Sequence, residues 1–146
     1  MDLIQMAKRC PGARVLGRAS LPGWTLCFNR RSTHQGGGVA SIRKARGSRV
    51  WGVLYEIGPS CLKALDRYEG FYGEGHPGNH YVRVELGLRF KGKVLRHVLA
   101  YQALEQEAHI RPRLRYLASI LRGARQNKLP QGYIETIERL AASGRI

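Results

Sequence analysis

Apolar and polar residues alternate in several stretches of the first half of the chain, and this period of two predicts β-strands. Ala13–Leu21 and Trp24–Asn29 are predicted as two strands, and the Pro-Gly pair between them favours a hairpin turn. A polar loop that ends in three glycines follows, and we expect it to be flexible. Gly38–Ile42 is then a short strand, and Val50–Ile57 gives the strongest strand signal in the chain.

The second half of the chain changes from strands to helices. Tyr81–Phe90 alternates as a strand, and Val94–Ala103 is its expected antiparallel partner across a Lys-Gly-Lys turn. Apolar residues at helical spacing then predict helices over Pro112–Gln126 and Gly132–Ala142. About six strands, mostly antiparallel and followed by helices, indicate the α+β class with the sheet curled or closed into a small barrel. Since no linker or repeat interrupts it, the chain 1–146 is expected to be a single domain.

One stretch, Val50–Gly70, places a carboxylate in an unusual position. Its second half predicts a short helix that ends at Glu69, with a glycine directly behind it. At about 100° per residue, Leu62, Leu65 and Glu69 fall on one face of that helix, while its basic residues point the other way. Glu69 is therefore expected to lie within an apolar stripe.

Such a position would suit Glu69 to acid–base chemistry. Desolvation disfavours the charged carboxylate and raises its pKa, and the negative end of a helix acts in the same direction. A carboxyl group of raised pKa can take up and release a proton near neutral pH. The pattern leaves an alternative open, in which Glu69 is solvated at a frayed helix end or paired with an arginine.

The chain is strongly basic, with 25 Lys and Arg residues against 10 Asp and Glu residues and a formal net charge of +15. This balance suits nucleic acid, an anionic membrane surface or acidic small molecules as partners. The basic residues are scattered, and aromatic residues are not interleaved with them as in an RNA-binding sheet. A solvated basic surface is the simpler interpretation, and a nucleic-acid partner is disfavoured.

The cysteines and histidines give no sign of a metal centre. Cys10, Cys27 and Cys61 are odd in number and lack a C-x-x-C spacing, which argues against a disulfide framework and against a zinc site. The same usage favours a reducing compartment, and Cys61 is expected to be a free core thiol. Because the N-terminus has no apolar run of signal-peptide or membrane length, we expect a cytoplasmic location.

Two tyrosines and an aspartate are further candidates for a site. Tyr81 opens a strand just after the loop that follows Glu69, and Tyr116 lies on the first C-terminal helix. Either phenol could hydrogen-bond a ligand, although a core tyrosine with a satisfied hydroxyl is the commoner case. Asp66 lies about 60° from Glu69 around the helix and could share its environment.

Several segments, taken in order, resemble the gamma-glutamylcyclotransferase-like family over nearly the whole chain. The most specific lies in Val50–Gly70, where VWGVLYEI is followed by LDRYEG. The matching segments are Gln5–Ala13, Leu21–Asn29, Gly37–Ile42, Val50–Gly70, Tyr81–Glu85, Pro112–Tyr116 and Gly123–Tyr133. Each is weakly specific alone, but their shared order and spacing are fairly specific.

The resemblance implies a small mixed β-barrel with flanking helices and the release of 5-oxoproline from a γ-glutamyl amine or amino acid. The general acid/base of the family is the glutamate of an L-D-x-x-E-G motif, which corresponds to Glu69. Family tyrosines near the substrate correspond to Tyr81 and, less closely, to Tyr116. No metal or cofactor is implied, the expected partner is a small γ-glutamyl substrate, and a homodimer is left open.

Two departures from the family pattern bear on function. The family opens with a strand and an F-x-Y-G-S-N loop that holds the substrate, and here Met1 falls where the next residue would be. We expect that the chain starts at an internal methionine of a longer reading frame, which the upstream DNA would test. An inactive binding module of the same fold and a basic nucleic-acid-associated protein are therefore the alternative functions. The loop Phe71–His80 also looks long, which leaves the choice of substrate open.

Overall fold

The computed structural model describes residues 3–143 as an antiparallel sheet with helices around it. In chain order the elements are α1 (Leu3–Arg9), β1 (Arg14–Ser32), β2 (Gly37–Glu56), α2 (Pro59–Glu69), β3 (Tyr81–Phe90), β4 (Lys93–Ala103), α3 (Leu114–Gln126) and α4 (Gln131–Ser143). The strand order is β2-β1-β3-β4, so the predicted α+β class is confirmed. Pairing within residues 3–143 leaves β2 and β4 at the two ends of the sheet, and closure into a barrel stays a prediction.

β1 and β2 are each one long strand, so the predicted count of about six strands is wrong. The two strands pair antiparallel along their length and end with Ser32 opposite Gly37. Pro22 and Gly23 lie inside β1, where the register shifts opposite a basic stretch of β2. Proline has no N–H to donate and Gly23 has a φ of 79°, so a bulge accommodates the pair in place of the predicted turn. The hairpin turn instead occupies residues 33–36.

The second hairpin and the two C-terminal helices are confirmed. β3 pairs with β4 in an antiparallel ladder that ends with Phe90 opposite Lys93. α3 begins at Leu114 rather than at Pro112, because Arg113 keeps an extended backbone (φ −70°, ψ 146°). None of the helices in residues 3–143 combines the length and the apolarity that a membrane span requires.

The main core lies between β1 and the C-terminal helices. Phe28 on β1, Ala124 on α3 and Ile137 on α4 are fully buried there. Burying a side chain the size of Phe or Ile stabilises the fold by roughly 1.5–3 kcal/mol. This packing fixes α3 against the sheet, and it holds Tyr116, which packs on the same cluster, in one place.

The last two of the three glycines belong to a tightly packed strand rather than to the flexible loop expected from the sequence, and Gly36 lies in the hairpin turn. Gly37 and Gly38 begin β2 and are buried, and the Gly38 N–H donates to the Arg111 carbonyl oxygen at 3.1 Å. A Cβ on Gly38 would overlap the carbonyl oxygen of Ile110. Glycine therefore lets the segment that leads into α3 approach the sheet closely, and it helps to set the position of Tyr116.

Cys10 and Cys61 form a disulfide, so the expectation that Cys61 is a free thiol is wrong. Their Cα atoms lie 5.2 Å apart although 51 positions separate them in the sequence. The odd number of cysteines excludes complete pairing but not a single bond. This bond depends on α1 lying beside α2, which the spacing of cysteines along the sequence does not predict. Cys27 is the free cysteine, and burial raises its pKa to about 11.

An apolar cavity and a polar cavity lie along α2. An apolar cavity of about 520 Å³ is lined by side chains of β2 and β4 together with Leu62 and Leu65. Glu69 lies one turn further along the helix and instead lines a polar cavity. The apolar stripe predicted from helical spacing therefore faces the first cavity, and its carboxylate faces the second.

Candidate active site

The polar cavity has a volume of about 900 Å³ and brings together the three residues selected from the sequence. Glu69, Tyr81 and Tyr116 all line it, although they come from α2, β3 and α3. The arginines in its lining are Arg9, Arg30, Arg31 and Arg67. A small anionic molecule would therefore meet one carboxylate, two phenols and several guanidinium groups in the same space.

The ends of α2 fix the position of Glu69. Pro59 occupies the first turn, where its missing N–H has no helical partner to lose. Gly70 stops the helix in the left-handed conformation (φ 65°, ψ 44°), and its N–H donates to the Arg67 carbonyl oxygen at 3.2 Å. A side chain at Gly70 would be strained and would press on the imidazole of His80. This stop leaves the Glu69 side chain on the cavity wall, 24% exposed.

Burial and one nearby cation act on the Glu69 carboxyl in opposite directions. Burial is the larger effect and raises its pKa above the usual value. The Arg9 guanidinium opposes that rise, since Arg9 Nη1 lies 3.6 Å from Glu69 Oε1. The sequence offered a solvated or arginine-paired Glu69 as the alternative to burial, and the structure combines partial burial with an arginine contact.

Tyr81 and Tyr116 hydrogen-bond the same residue in opposite senses. The Tyr81 hydroxyl donates to the Ala40 carbonyl oxygen at 3.0 Å. The Ala40 N–H donates to the Tyr116 hydroxyl oxygen, also at 3.0 Å. The hydroxyl proton of Tyr81 is therefore already used in a hydrogen bond within the protein, whereas the hydroxyl of Tyr116 can still donate to another acceptor. Burial raises the pKa of both phenols, and the nearby Glu69 carboxylate adds to each rise, so both stay protonated at neutral pH.

Asp66 is bonded beside the cavity and does not share the role of Glu69. Its Oδ1 accepts a hydrogen bond of 2.6 Å from the Tyr101 hydroxyl. The Arg83 Nε lies 3.6 Å from the same oxygen. Tyr101 also lines the polar cavity, and burial followed by the bond to Asp66 raises its pKa. Asp66 thus positions a phenol of the cavity wall.

The loop after Glu69 is organised by its own side chains. Asn79 is buried, its Oδ1 accepts from the Tyr72 N–H at 2.8 Å, and its Nδ2 donates to the Gly73 carbonyl oxygen at 2.7 Å. The His76 Nδ1 accepts from the Gly78 N–H at 3.0 Å. Across residues 3–143, no group of three or more His, Cys, Asp or Glu side chains is placed to hold a metal ion.

Arg9 is the site residue that the sequence does not single out. It ends α1, and its guanidinium lies 5.1 Å from the centre of the Tyr68 ring as well as near Glu69. Its position depends on how α1 packs against α2, which periodicity along the chain cannot predict. Cys10, the next residue, is the one local sign that Arg9 lies near α2. It indicates this only when its disulfide partner, Cys61 on α2, is known.

Replacing Glu69 by Gln should stabilise the fold in a pH-dependent way. Because the folded-state pKa is raised, the folded protein binds more protons than the unfolded chain from about pH 4.5 up to that raised pKa. Stability contributed by this group is therefore present below the window and lost as the pH rises through it. Urea unfolding gives the free energy of unfolding of Glu69→Gln and of the wild type at pH 4 and at pH 8. The value for the variant minus the value for the wild type should be larger at pH 8 than at pH 4. An unchanged difference between the two pH values would contradict the raised pKa.

Similar proteins of known family match most of the chain. A sequence model of the AIG2-like family matches residues 49–137. The chain is 33% identical over 130 residues to the gamma-glutamylcyclotransferase of Bos taurus, which covers 86% of this chain and 65% of that protein. It is 30% identical over 135 residues to the Mus musculus protein of the same name, and this match covers 89% of this chain and 68% of that protein. The chain thus spans about two-thirds of the length of these relatives.

The fold agrees with the sequence matches. A solved structure described as a gamma-glutamyl cyclotransferase superposes with a TM-score of 0.82 at 28% identity, covering 92% of this chain and 79% of that one. The resemblance of the ordered segments in the sequence is therefore confirmed at the level of family and fold. The chain belongs to the AIG2-like, or gamma-glutamylcyclotransferase, family.

Proposed function

We propose that this protein catalyses cyclisation of a γ-glutamyl amine or γ-glutamyl amino acid, which releases 5-oxoproline and the free amine. The observation that carries the proposal is the partly buried Glu69 carboxylate, which shares one polar cavity with two phenols fixed to a single residue, Ala40. Relatives named gamma-glutamylcyclotransferase support it. The cytoplasmic location and the small-molecule partner are parts of the same proposal.

The reaction needs one group that moves a proton twice. The substrate's α-amine arrives as an ammonium, gives a proton to Glu69 and attacks its own γ-carbonyl carbon, which closes a five-membered ring. Glu69 returns this proton to the leaving nitrogen as the bond to the carbonyl carbon breaks. The ring nitrogen gives up its second proton, which the released amine takes up to become an ammonium ion. Because the nucleophile is tethered, the cavity chiefly has to hold the folded conformer of the substrate. A carboxyl group whose pKa is raised by burial is suited to both transfers.

The two phenols suit different parts of this reaction. Tyr116 keeps its hydroxyl proton, so we assign it as the donor to the γ-carbonyl oxygen, on which negative charge develops as the ring closes. Tyr81 gives its proton to Ala40, so its oxygen is available to accept a hydrogen bond from the substrate ammonium. The arginines of the lining would attract the substrate carboxylate.

The direct test is a survey of γ-glutamyl compounds with the purified chain. γ-Glutamyl dipeptides and γ-glutamyl amines are incubated with the protein, and both 5-oxoproline and the released amine are quantified. Equal amounts of the two products from at least one substrate would support the proposal. Binding of these compounds by calorimetry without any product would favour a binding module of the same fold and would overturn the enzymatic proposal.

Removing the two hydroxyls should affect different kinetic parameters. Tyr116→Phe should lower kcat by about 10- to 100-fold, because it removes a donor needed mainly in the transition state. Tyr81→Phe should act mainly on KM, raising it by roughly three- to tenfold, because it removes an acceptor for the bound ammonium. Steady-state kinetics of both variants provide the measurement. A larger loss of kcat in Tyr81→Phe than in Tyr116→Phe would reverse the assignment.

A further inference from the structure

We infer that the Cys10–Cys61 disulfide is a redox-sensitive clamp that holds Arg9, a positioning residue, against Glu69. The inference rests on the proposed function only for its effect on turnover, because the clamp itself is a property of the fold.

The disulfide ties the end of α1 covalently to α2. Of the residues of α1, Leu3–Arg9, none is buried. Cys10 follows directly, is 1% exposed, and closes the helix with an N–H bond of 2.8 Å to the Met6 carbonyl oxygen. A seven-residue helix is marginal in water without tertiary contacts. Breaking the bond to Cys61 therefore removes the covalent tie that holds the end of α1 on α2.

Arg9 depends on this attachment because its contacts are with α2. Its Nη1 lies 3.6 Å from Glu69 Oε1, and its guanidinium lies 5.1 Å from the centre of the Tyr68 ring. Among the described residues, the ion pair to Glu69 comes from Arg9. Release of α1 would carry the guanidinium away from the carboxylate.

Arg30, Arg31 and Arg67 also line the polar cavity, but among the described residues the ion pair with the Glu69 carboxylate is formed by Arg9. Tyr81 on β3, Tyr101 on β4 and Tyr116 on α3 are the titratable groups whose electrostatics couple to Glu69 from the other elements. All three are phenols with pKa values raised by burial, so they are neutral near pH 7. Without Arg9, desolvation would act on the Glu69 carboxylate with less opposition.

The disulfide can be reached from solvent. A depression of about 250 Å³ is lined by both cysteines and by Arg9, and Cys61 is 7% exposed against 1% for Cys10. A small thiolate can attack the more exposed Cys61 sulfur, which forms a mixed disulfide and releases the Cys10 thiolate. A second thiol then displaces Cys61, so that the protein gains two thiols and the small thiol is oxidised to its disulfide. The reverse exchange with a small-molecule disulfide restores the clamp.

The test compares the oxidised and the reduced protein, with the redox state verified by alkylation of free thiols and mass spectrometry. Glu69 is observed by carbon-13 NMR of its labelled side-chain carboxyl across a pH titration, and kcat/KM is measured for 5-oxoproline release. Reduction should raise the pKa of Glu69 and lower kcat/KM by roughly three- to tenfold. Cys61→Ser should match the reduced wild type in either redox condition.

Three variants distinguish a disulfide that acts on Glu69 through Arg9 from one that only stabilises the fold. Arg9→Gln should have the raised pKa and should lose the response to reduction, while Arg9→Lys should restore part of both effects. Cys27→Ala removes the free buried thiol and keeps the disulfide, so it should respond to reduction as the wild type does.

The two readouts distinguish failure of the clamp from failure of the proposed function. If reduction leaves the pKa of Glu69 unchanged in the wild type, the clamp is wrong whatever the turnover. Absence of 5-oxoproline together with a redox-dependent pKa that Arg9→Gln abolishes would support the clamp and overturn the proposed enzyme activity. Failure of Cys10 and Cys61 to pair in the presence of a small-molecule disulfide would also overturn the clamp.

Discussion

Replacing Glu69 by Gln is expected to reduce 5-oxoproline release by about 10²- to 10⁴-fold, which is the usual contribution of a general acid/base. The amide keeps the shape of the side chain but cannot take the proton from the substrate ammonium or return it to the leaving amine. Because both transfers depend on the same carboxyl, the loss should fall on kcat and on kcat/KM alike. Discontinuous quantification of 5-oxoproline under single-turnover conditions would measure it.

A matched variant shows whether the loss of turnover is specific to a carboxylate in the polar cavity. Glu56→Gln removes a carboxylate at the end of β2, where it forms an exposed ion pair with Arg14 at 2.8 Å. That pair lies outside the polar cavity, so turnover should be retained. Circular dichroism should show both variants folded. Retention of more than a tenth of wild-type turnover in Glu69→Gln would mean that another group moves the proton.

The second large effect concerns stability. Gly38→Ala should lower the free energy of unfolding by about 3 kcal/mol, because its Cβ would overlap the Ile110 carbonyl oxygen and backbone cannot move aside as a flexible side chain can. For a chain of this size, the melting temperature should fall by roughly 6–12 °C. The hydrogen bond from the Gly38 N–H to Arg111 should weaken as the segment is displaced, and Tyr116 should shift with it. Thermal unfolding followed by circular dichroism is the measurement.

β2 also supplies the control for that substitution. A Cβ on Gly52 would meet nothing within 4 Å, and no positive φ is found there. Gly52→Ala should therefore be neutral or slightly stabilising, because alanine loses less conformational freedom on folding. Equal destabilisation by the two substitutions would show that close packing on the Ile110 segment is not the reason for glycine at position 38.

Much of the site could be predicted because its residues follow local rules. Glu69 was selected by its spacing from Leu62 and Leu65 on one helix, and the structure places it on the wall of a polar cavity. Tyr81 begins a strand and Tyr116 lies on a helix of clear apolar period, so their elements were identifiable. Their common contact with Ala40 could not be predicted, since it joins three elements that are distant in the sequence.

The errors arose where tertiary packing overrides a local signal. Pro22 and Gly23 are turn-forming residues, but the ladder on both sides of them is long enough to continue through a bulge. The cysteine count suggested free thiols, yet the packing of α1 on α2 brings Cys10 to Cys61. Arg9 cannot be predicted from the sequence for the same reason, because its contact with Glu69 exists only where those two helices meet.

The most direct test of cyclisation uses a γ-glutamyl dipeptide in water enriched in oxygen-18. Attack by the substrate's own amine gives 5-oxoproline without label from the solvent, and the reaction consumes no water. Hydrolysis of the same bond would give glutamate whose γ-carboxyl carries oxygen-18. Mass spectrometry of the products should therefore show unlabelled 5-oxoproline from the wild-type chain and almost none from Glu69→Gln. Labelled glutamate as the main product, or equal 5-oxoproline from both proteins, would contradict a Glu69-dependent ring closure.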